Sequence, residues 1–293
     1  MRVRLLAVLS VAALFLFGAL PASATSEGHG YLALGDSVPF GFNPDRSLWS
    51  NANNFTGYPE LVARQLNIED TNATCPGEAT GGFLSLAGFD NGCQGYRFFL
   101  REPLHVMYPG TQMAFALAYL RSRPDTRLVT LTLGANDYFH LQHVCGFDPA
   151  CVGAGIPAML VTMGANLNAI LDGIRSTGYT GLIVALTYYS LIYPDTSGAD
   201  LLNGPMIAAA NAHGALVASG VEAWRSTAME NGGSTCYVGG LRLPPFPPDP
   251  GIFGCDVHPT PLGATLLADQ VVSTIASSCP ANSAIGCLNR HQG

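Results

Sequence analysis

Three nearly continuous apolar runs mark the chain at wide intervals, and each stops abruptly. Leu32-Ala33-Leu34 ends at Gly35-Asp36-Ser37. Arg127 to Leu133 ends at Gly134-Ala135-Asn136-Asp137. Gly181 to Tyr189 ends in a loop rich in tyrosine. Runs of this kind, the second of them β-branched and nearly continuous in apolar character, predict buried strands. Between them the apolar spacing lengthens to the helical period. Tyr58 to Leu66 presents Leu61, Val62 and Leu66 on one side, and Thr111 to Arg123 presents Met113, Leu117 and Leu120 before Pro124-Asp125 stops it. Further helices are predicted over 157–176, over most of 201–231 with Trp224 inward, and over 262–277; Cys236-Tyr237-Val238 reads as a last short strand. The stretches 38–57, 83–109 and the proline-dense 241–253 show no regular period, and the last sixteen residues read as a tail. Strands alternating with helices predict a parallel sheet covered on both faces, that is, a three-layer α/β/α sandwich around a central, mostly parallel sheet.

Composition then changes the picture at the N-terminus. Arg2 and Arg4 precede an apolar run from Leu5 to Leu20, and Ala22-Ser23-Ala24 supplies the small residues of a cleavage site. Residues 1–24 therefore read as a secretory signal peptide, the alternative being an uncleaved membrane anchor. The run is short for a span, no later segment stays apolar long enough to cross a bilayer, and a secreted, extracellular protein is expected. About 270 residues remain. They suffice for one α/β domain, 25–293, with no repeat or linker to divide it. The chain contains no lysine, and its formal charge of −7 becomes −9 once Arg2 and Arg4 are gone. No basic patch is visible, which argues against nucleic acid or an anionic membrane surface as partner. A monomer is expected. The eight cysteines of an exported chain read as four disulfides. Their short intervals suggest neighbour pairing: Cys75–Cys93, Cys145–Cys151, Cys236–Cys255 and Cys279–Cys287. A zinc site is the alternative, disfavoured by export and by the lack of any Cys-x-x-Cys.

The chemistry gathers at the ends of the apolar runs. In open parallel sheets the C-terminal edge of the strands is where ligands bind. Ser37 stands there, and a serine becomes a nucleophile when a histidine takes its proton and donors hold the oxyanion. Gly77 could bring a backbone amide close to a ligand. Asn136 follows the second run, and Asp256-Val257-His258-Pro259-Thr260 precedes the last helix. Taken singly, each block is weak: Gly77 could be an ordinary turn glycine, and a lone histidine before proline is commonly a loop residue.

Four blocks in this order, Gly35-Asp36-Ser37, Gly77, Gly134-x-Asn136-Asp137 and Asp256-x-His258, resemble the SGNH (GDSL) hydrolases over most of the chain. The resemblance implies Ser37 as nucleophile, with the backbone amides of Ser37 and Gly77 and the Asn136 side chain as oxyanion hole. It implies His258 as general base and then acid, and no metal or organic cofactor. The chain departs from the pattern at the triad acid, which the family places three residues before the histidine. Cys255 stands there, and Asp256 is only two before. Asp256 is the candidate acid; a backbone carbonyl near Cys255 holding the imidazole is the alternative. The implied activity is hydrolysis of carboxylic esters through an acyl-Ser37 intermediate. The aromatic residues Phe40, Phe42, Tyr138, Phe139, Phe246 and Phe253 point to acyl or lipid esters. A carbohydrate O-acetyl esterase, stacking sugar on Trp49 or tyrosines, is one rival, and a non-catalytic ligand- or wall-binding protein is another.

The remaining polar residues have plainer readings. Asp36 and Asp137 are expected to hold turns by accepting backbone N–H bonds. Glu78 reads as a solvated or turn-bonding carboxylate, and Gln112 as a helix cap or a contact to the site loops. His140 and His143 read as surface-loop histidines. Asn54 and Asn72 head glycosylation sequons. Ile252, with Phe246 and Phe253, could wall an acyl pocket or anchor a loop.

Overall fold

The computed structural model describes residues 30–236, 239–242, 255–279 and 283–290, without the side chains of the last two. The segment read as a secretion signal, Phe246, Ile252 and Phe253 lie outside them.

Five parallel strands form one sheet: β1 (Gly30–Gly35), β2 (Glu69–Asn72), β3 (Thr126–Thr132), β4 (Leu182–Leu186) and β5 (Leu216–Ala218), in the spatial order β2-β1-β3-β4-β5. Ten α-helical segments run among the described residues. They are α1 (Ser37–Phe40), α2 (Tyr58–Leu66), α3 (Thr80–Leu84), α4 (Gln112–Ser122), α5 (Ala135–Val144), α6 (Pro149–Ser176), α7 (Ser197–Ala212), α8 (Gly220–Glu230), α9 (Pro261–Ser277) and α10 (Ala284–Arg290).

Strand side chains alternate between two separate cores. Leu32, Leu34, Val129, Leu131 and Ile183 face α4, α6 and α7, burying Ala116, Leu167, Ile170, Ile174 and Ala209. Tyr31, Ala33, Leu128, Val184 and Leu186 face α2, α8 and α9, burying Val62, Trp224, Leu267, Val271 and Ile275. Each large apolar side chain moved out of water contributes roughly 1.5–3 kcal/mol, so both faces must be covered, and the expected three layers result. All eight cysteines are paired as neighbours: Cys75–Cys93, Cys145–Cys151, Cys236–Cys255 and Cys279–Cys287.

Several elements differ from the sequence reading. The helix expected from residue 157 begins at Pro149, where Asp148 caps it by accepting from the Ala150 amide, and Pro157 lies inside it. The resulting 28-residue α6 is long and apolar enough to span a bilayer by length and composition, which corrects the expectation that no such segment exists. Met163, Leu167, Ile170, Leu171 and Ile174 bury one side of its C-terminal half in the core, while most of its apolar window lies outside it. The helix expected over 201–231 is two helices divided at Gly214 by β5. Residues 83–109 are not wholly irregular, since α3 reaches Leu84 and one π-helical turn spans Gly95–Phe99. Cys236 lies in a turn, and residues 237 and 238 are outside the described set.

Because every strand is parallel, all C-terminal ends share one edge. The chain leaves β1 toward β2 on one side and returns to β3 on the other. That divergence opens a crevice between the β1 and β3 ends, the place where ligands bind in doubly wound sheets.

Candidate active site

Gly35 turns the chain out of β1. Its φ is 135°, and a Cβ there would stand 2.0 Å from the Thr132 carbonyl oxygen, so no other residue fits between β1 and β3. Asp36 then caps α1, its Oδ1 accepting from the Val38 amide at 2.9 Å. Ser37 is the first residue of that helix, where backbone N–H groups have no partner within the helix. Beyond β2, Cys75-Pro76-Gly77-Glu78 closes a turn with the Glu78 amide on the Cys75 carbonyl at 3.1 Å. Pro at the second position and Gly77 at φ 81° are what a type II turn requires. A Cβ on Gly77 would meet the Asn91 carbonyl at 2.7 Å.

Asn136 sits in the first turn of α5. Its Nδ2 donates to the Glu78 carbonyl at 2.9 Å, and its Oδ1 accepts from Asn91 Nδ2 at 3.0 Å. The amide is thus oriented from both ends. Asp137 accepts from the Thr80 amide at 3.0 Å and the Thr80 hydroxyl at 2.5 Å, which fastens the loop after β2 to the loop after β3.

The fourth block is held by a short ladder. The Asp256 amide donates to the Arg242 carbonyl at 2.9 Å and the Arg242 amide to the His258 carbonyl at 3.0 Å. The Cys236–Cys255 bridge anchors the start of the segment. The Tyr189 hydroxyl donates to the Val257 carbonyl. Arg242 in turn donates through Nε to the Phe42 carbonyl at 3.0 Å, which ties this loop to the one after Ser37.

These contacts bring the four blocks together. His258 Nε2 lies 2.8 Å from Ser37 Oγ, and His258 Nδ1 lies 2.5 Å from Asp256 Oδ1. The same Oδ1 accepts the His258 backbone N–H at 2.9 Å. Burial alone would raise the Asp256 carboxyl; the hydrogen bonds and charge of His258, aided by Arg242, outweigh it and hold the group below the usual range. Asp256, not a carbonyl near Cys255, faces the imidazole. Ser37, Gly77, Asn136 and His258 line one cavity of about 530 Å³, walled by Phe42, Trp49, Tyr96, Phe99 and Leu100.

Two buried carboxyl groups lie behind this line. Burial pushes Asp36 up to about 6, against the pull of the Tyr188 hydroxyl and the Val38 amide. The Tyr188 hydroxyl donates to Asp36 Oδ2 at 2.5 Å and accepts from the Ala135 amide at 3.1 Å, so β4's loop braces both motif loops. Glu78, read from sequence as solvated or turn-bonding, is only 2% exposed. Burial, with Asp90 adding to it, pushes its carboxyl up to about 8. Gln112 makes the site-loop contact rather than a cap: its Oε1 accepts from the Gly35 amide at 2.6 Å and its Nε2 donates to the Gly35 carbonyl at 2.9 Å. Asn91, Tyr188 and Arg242 carry no motif and were not singled out by the sequence.

Other candidates are placed elsewhere. His140 stacks on Phe89 with ring centroids 4.2 Å apart, and His143 packs on Phe147. Asn72 is buried among Pro39, Glu60 and Thr74, so its sequon is unusable in the folded chain, whereas Asn54 is exposed. Among the described residues, Cys75, Glu78 and Cys93 bring ligand-type atoms within 4.8 Å, but the two sulfurs are bonded to each other.

The profile of the GDSL-like lipase/acylhydrolase family matches residues 33–266. No curated protein matches the chain by sequence. Among solved structures, a phospholipase A1 from Streptomyces albidoflavus is 19% identical over 86% of this chain and 100% of its own, with a TM-score of 0.51. An extracellular lipase from Streptomyces rimosus is 20% identical over 84% and 100%, at 0.52. An acetylxylan esterase from Geobacillus stearothermophilus is 16% identical over 85% and 94%, at 0.51. At these identities the likeness is one of fold.

Proposed function

Since the chain belongs to the GDSL-like lipase/acylhydrolase family, we propose that it is a secreted serine hydrolase cleaving carboxylic esters of acyl or lipid type, with Ser37, His258 and Asp256 as its catalytic residues. The observation that carries this reading is the unbroken line from Asp256 Oδ1 through the imidazole to Ser37 Oγ, with contacts of 2.5 and 2.8 Å.

His258 Nε2 accepts the Ser37 hydroxyl proton as Oγ attacks the ester carbonyl. The carbon–oxygen π bond becomes an oxyanion, faced by the amides of Ser37 and Gly77 and by Asn136 Nδ2. Loss of one such donor typically costs about 2.7–4 kcal/mol of transition-state stabilisation. The tetrahedral intermediate collapses, its bond to the leaving oxygen breaks, and His258 gives that oxygen the proton. Water then attacks the acyl-Ser37 ester with His258 again as base, releasing the acid and restoring the hydroxyl. Asp256 keeps Nδ1 protonated and stabilises the imidazolium. The apolar walls formed by Phe42, Phe99 and Leu100 support an acyl chain as the group bound beside Ser37. Four disulfides support an oxidising compartment.

A fluorophosphonate probe should label Ser37, and Ser37→Ala should abolish both labelling and p-nitrophenyl acetate turnover while melting as the wild type does. A folded wild type that takes no label and turns over no ester returns the chain to the binding-protein reading. Preference for acetylated xylan over p-nitrophenyl octanoate replaces the lipid assignment with the carbohydrate one.

A further inference from the structure

A second cavity, of about 390 Å³, opens beside the site. Ile156, Met159 and Leu160 of α6 form one wall, and Leu191, Leu201 and Leu202 stand opposite. Phe139 and Val257 line this cavity and the Ser37 cavity alike, so the two are neighbours across a ridge of two apolar side chains.

The chemistry of the lining restricts the occupant. Most of the polar groups that reach it are engaged within the protein, and Asp195, the one carboxylate of the lining, is solvent-exposed. The Ser190 hydroxyl donates to the Ile192 carbonyl at 2.6 Å. Asp195 accepts the Ser197 amide at 3.0 Å. Tyr188 and Tyr189 spend their hydroxyls on Asp36 and the Val257 carbonyl. What these walls offer is apolar surface, including Leu201 at 51% exposure, in a cavity of small-molecule size. A lining of this kind favours a hydrocarbon. Position then decides which hydrocarbon. The leaving oxygen must approach His258 Nε2 to receive its proton, and Val257, the residue before His258, forms the near wall. A chain attached to that oxygen passes over the ridge on the His258 side.

Resting on the ester-hydrolase reading above, we propose that the cleft between α6 and the start of α7 binds the hydrocarbon on the alcohol side of the substrate, so that the protein's substrates are lipids apolar on both sides of the scissile ester. Hydrocarbon in the cleft leaves water, and each buried methylene raises kcat/KM by up to about fourfold.

Octyl acetate and ethyl octanoate test this. They are isomers of equal atom count, one carrying its chain on the alcohol and the other on the acid. Turnover is followed by acid release in a pH-stat, with p-nitrophenyl acetate as a control. Met159→Trp fills the cleft, and Leu201→Arg places a charge at its rim from a position exposed enough to tolerate it. In both variants the kcat/KM ratio of octyl acetate to ethyl octanoate should fall at least tenfold; Leu201→Arg decides alone if Met159→Trp does not fold. An unchanged ratio, with p-nitrophenyl acetate still hydrolysed, overturns the cleft assignment and leaves the esterase standing. A rising ratio means the cleft holds the acyl chain, and overturns the assignment equally. A wild type inactive on all three esters fails at the earlier step, and the proposal falls with it.

Discussion

Replacing Asp256 by asparagine and by alanine should give very different losses, and the reason lies in one oxygen. Asp256 Oδ1 accepts from both the His258 backbone amide, at 2.9 Å, and His258 Nδ1, at 2.5 Å. In Asp256→Asn the backbone N–H still demands an acceptor, so it pins the new amide with its oxygen inward and its NH2 outward. Nδ1 then keeps its proton and its partner, and Nε2 stays free to accept from Ser37. What is lost is charge. A hydrogen bond to a charged group contributes about 1.5–3 kcal/mol and a neutral one about 0.5–1.5. The difference of about 1–2 kcal/mol corresponds to a roughly 5- to 30-fold fall in kcat/KM. Asp256→Ala removes the acceptor altogether. The tautomer is then unfixed, and two donors are left without their partner; where an asparagine in a serine-protease triad imposes the wrong tautomer, the cost is about 10⁴ in kcat. A loss on the order of 10³–10⁴ is expected. Both variants should be assayed on p-nitrophenyl acetate under identical conditions, with thermal melts to show that they fold. Equal losses for asparagine and alanine would refute the pinned-amide reasoning. A loss under tenfold for alanine would mean that Asp256 does not hold the imidazole.

Two further outcomes follow from the buried network. Asn91→Ala removes the donor that holds Asn136 Oδ1 at 3.0 Å. With the Glu78 carbonyl still gripping Nδ2, kcat should fall about 3- to 10-fold, on the scale of one hydrogen bond, with KM little changed; a KM effect alone would place Asn91 in substrate binding instead. Glu78→Gln should change the pH dependence of stability. The folded carboxyl, pushed up to about 8 by burial, stays protonated where the unfolded chain's glutamate, at about 4.3, has ionised. The wild type therefore loses stability as pH rises from about 4.3 through 8, by at most about 5 kcal/mol, and Glu78→Gln should flatten that decline in thermal melts between pH 5 and 9. Parallel curves for the two proteins would show that Glu78 does not titrate in this way.

How far the molecule could be read from its sequence depended on whether a signal was local. β1 and β3 are buried along their whole length, so their cores read as nearly continuous runs, and each is followed by its own glycine and a candidate side chain, which makes their ends legible. β2 is Glu69-Asp70-Thr71-Asn72, an edge strand with no apolar residue, and β5 is three residues long between two helices. Neither carries enough pattern to separate it from its surroundings. Pro157 misled for a different reason. Proline commonly opens helices, but Asp148-Pro149 already supplies a cap and a first-turn proline, and two competing start signals eight residues apart leave the boundary open. The burial of Glu78 is not legible locally because what surrounds it arrives from farther along the chain, with Gln112 at 3.4 Å and Cys93 Sγ at 3.5 Å. Asn91, Tyr188 and Arg242 reach their partners across 45, 152 and 200 positions, and no window of sequence contains both ends.

The spacing of Asp256 to His258 is the instructive case, because the departure from the family pattern proves to be locally readable. An aspartate accepting the backbone N–H two residues on is an Asx turn, and that is the Asp256–His258 contact. The turn curls the backbone so that the side chain of the second residue beyond lies against the same oxygen, which a carboxylate with free lone pairs can share between two donors. A carboxylate three residues away reaches a histidine by spanning a longer loop; one two residues away does so by closing a tighter ring. The ladder with Arg242 and the bridge at Cys255 then hold that ring. Cys255, at the position where the pattern expects the acid, serves instead as the covalent anchor that lets the shorter spacing face Ser37.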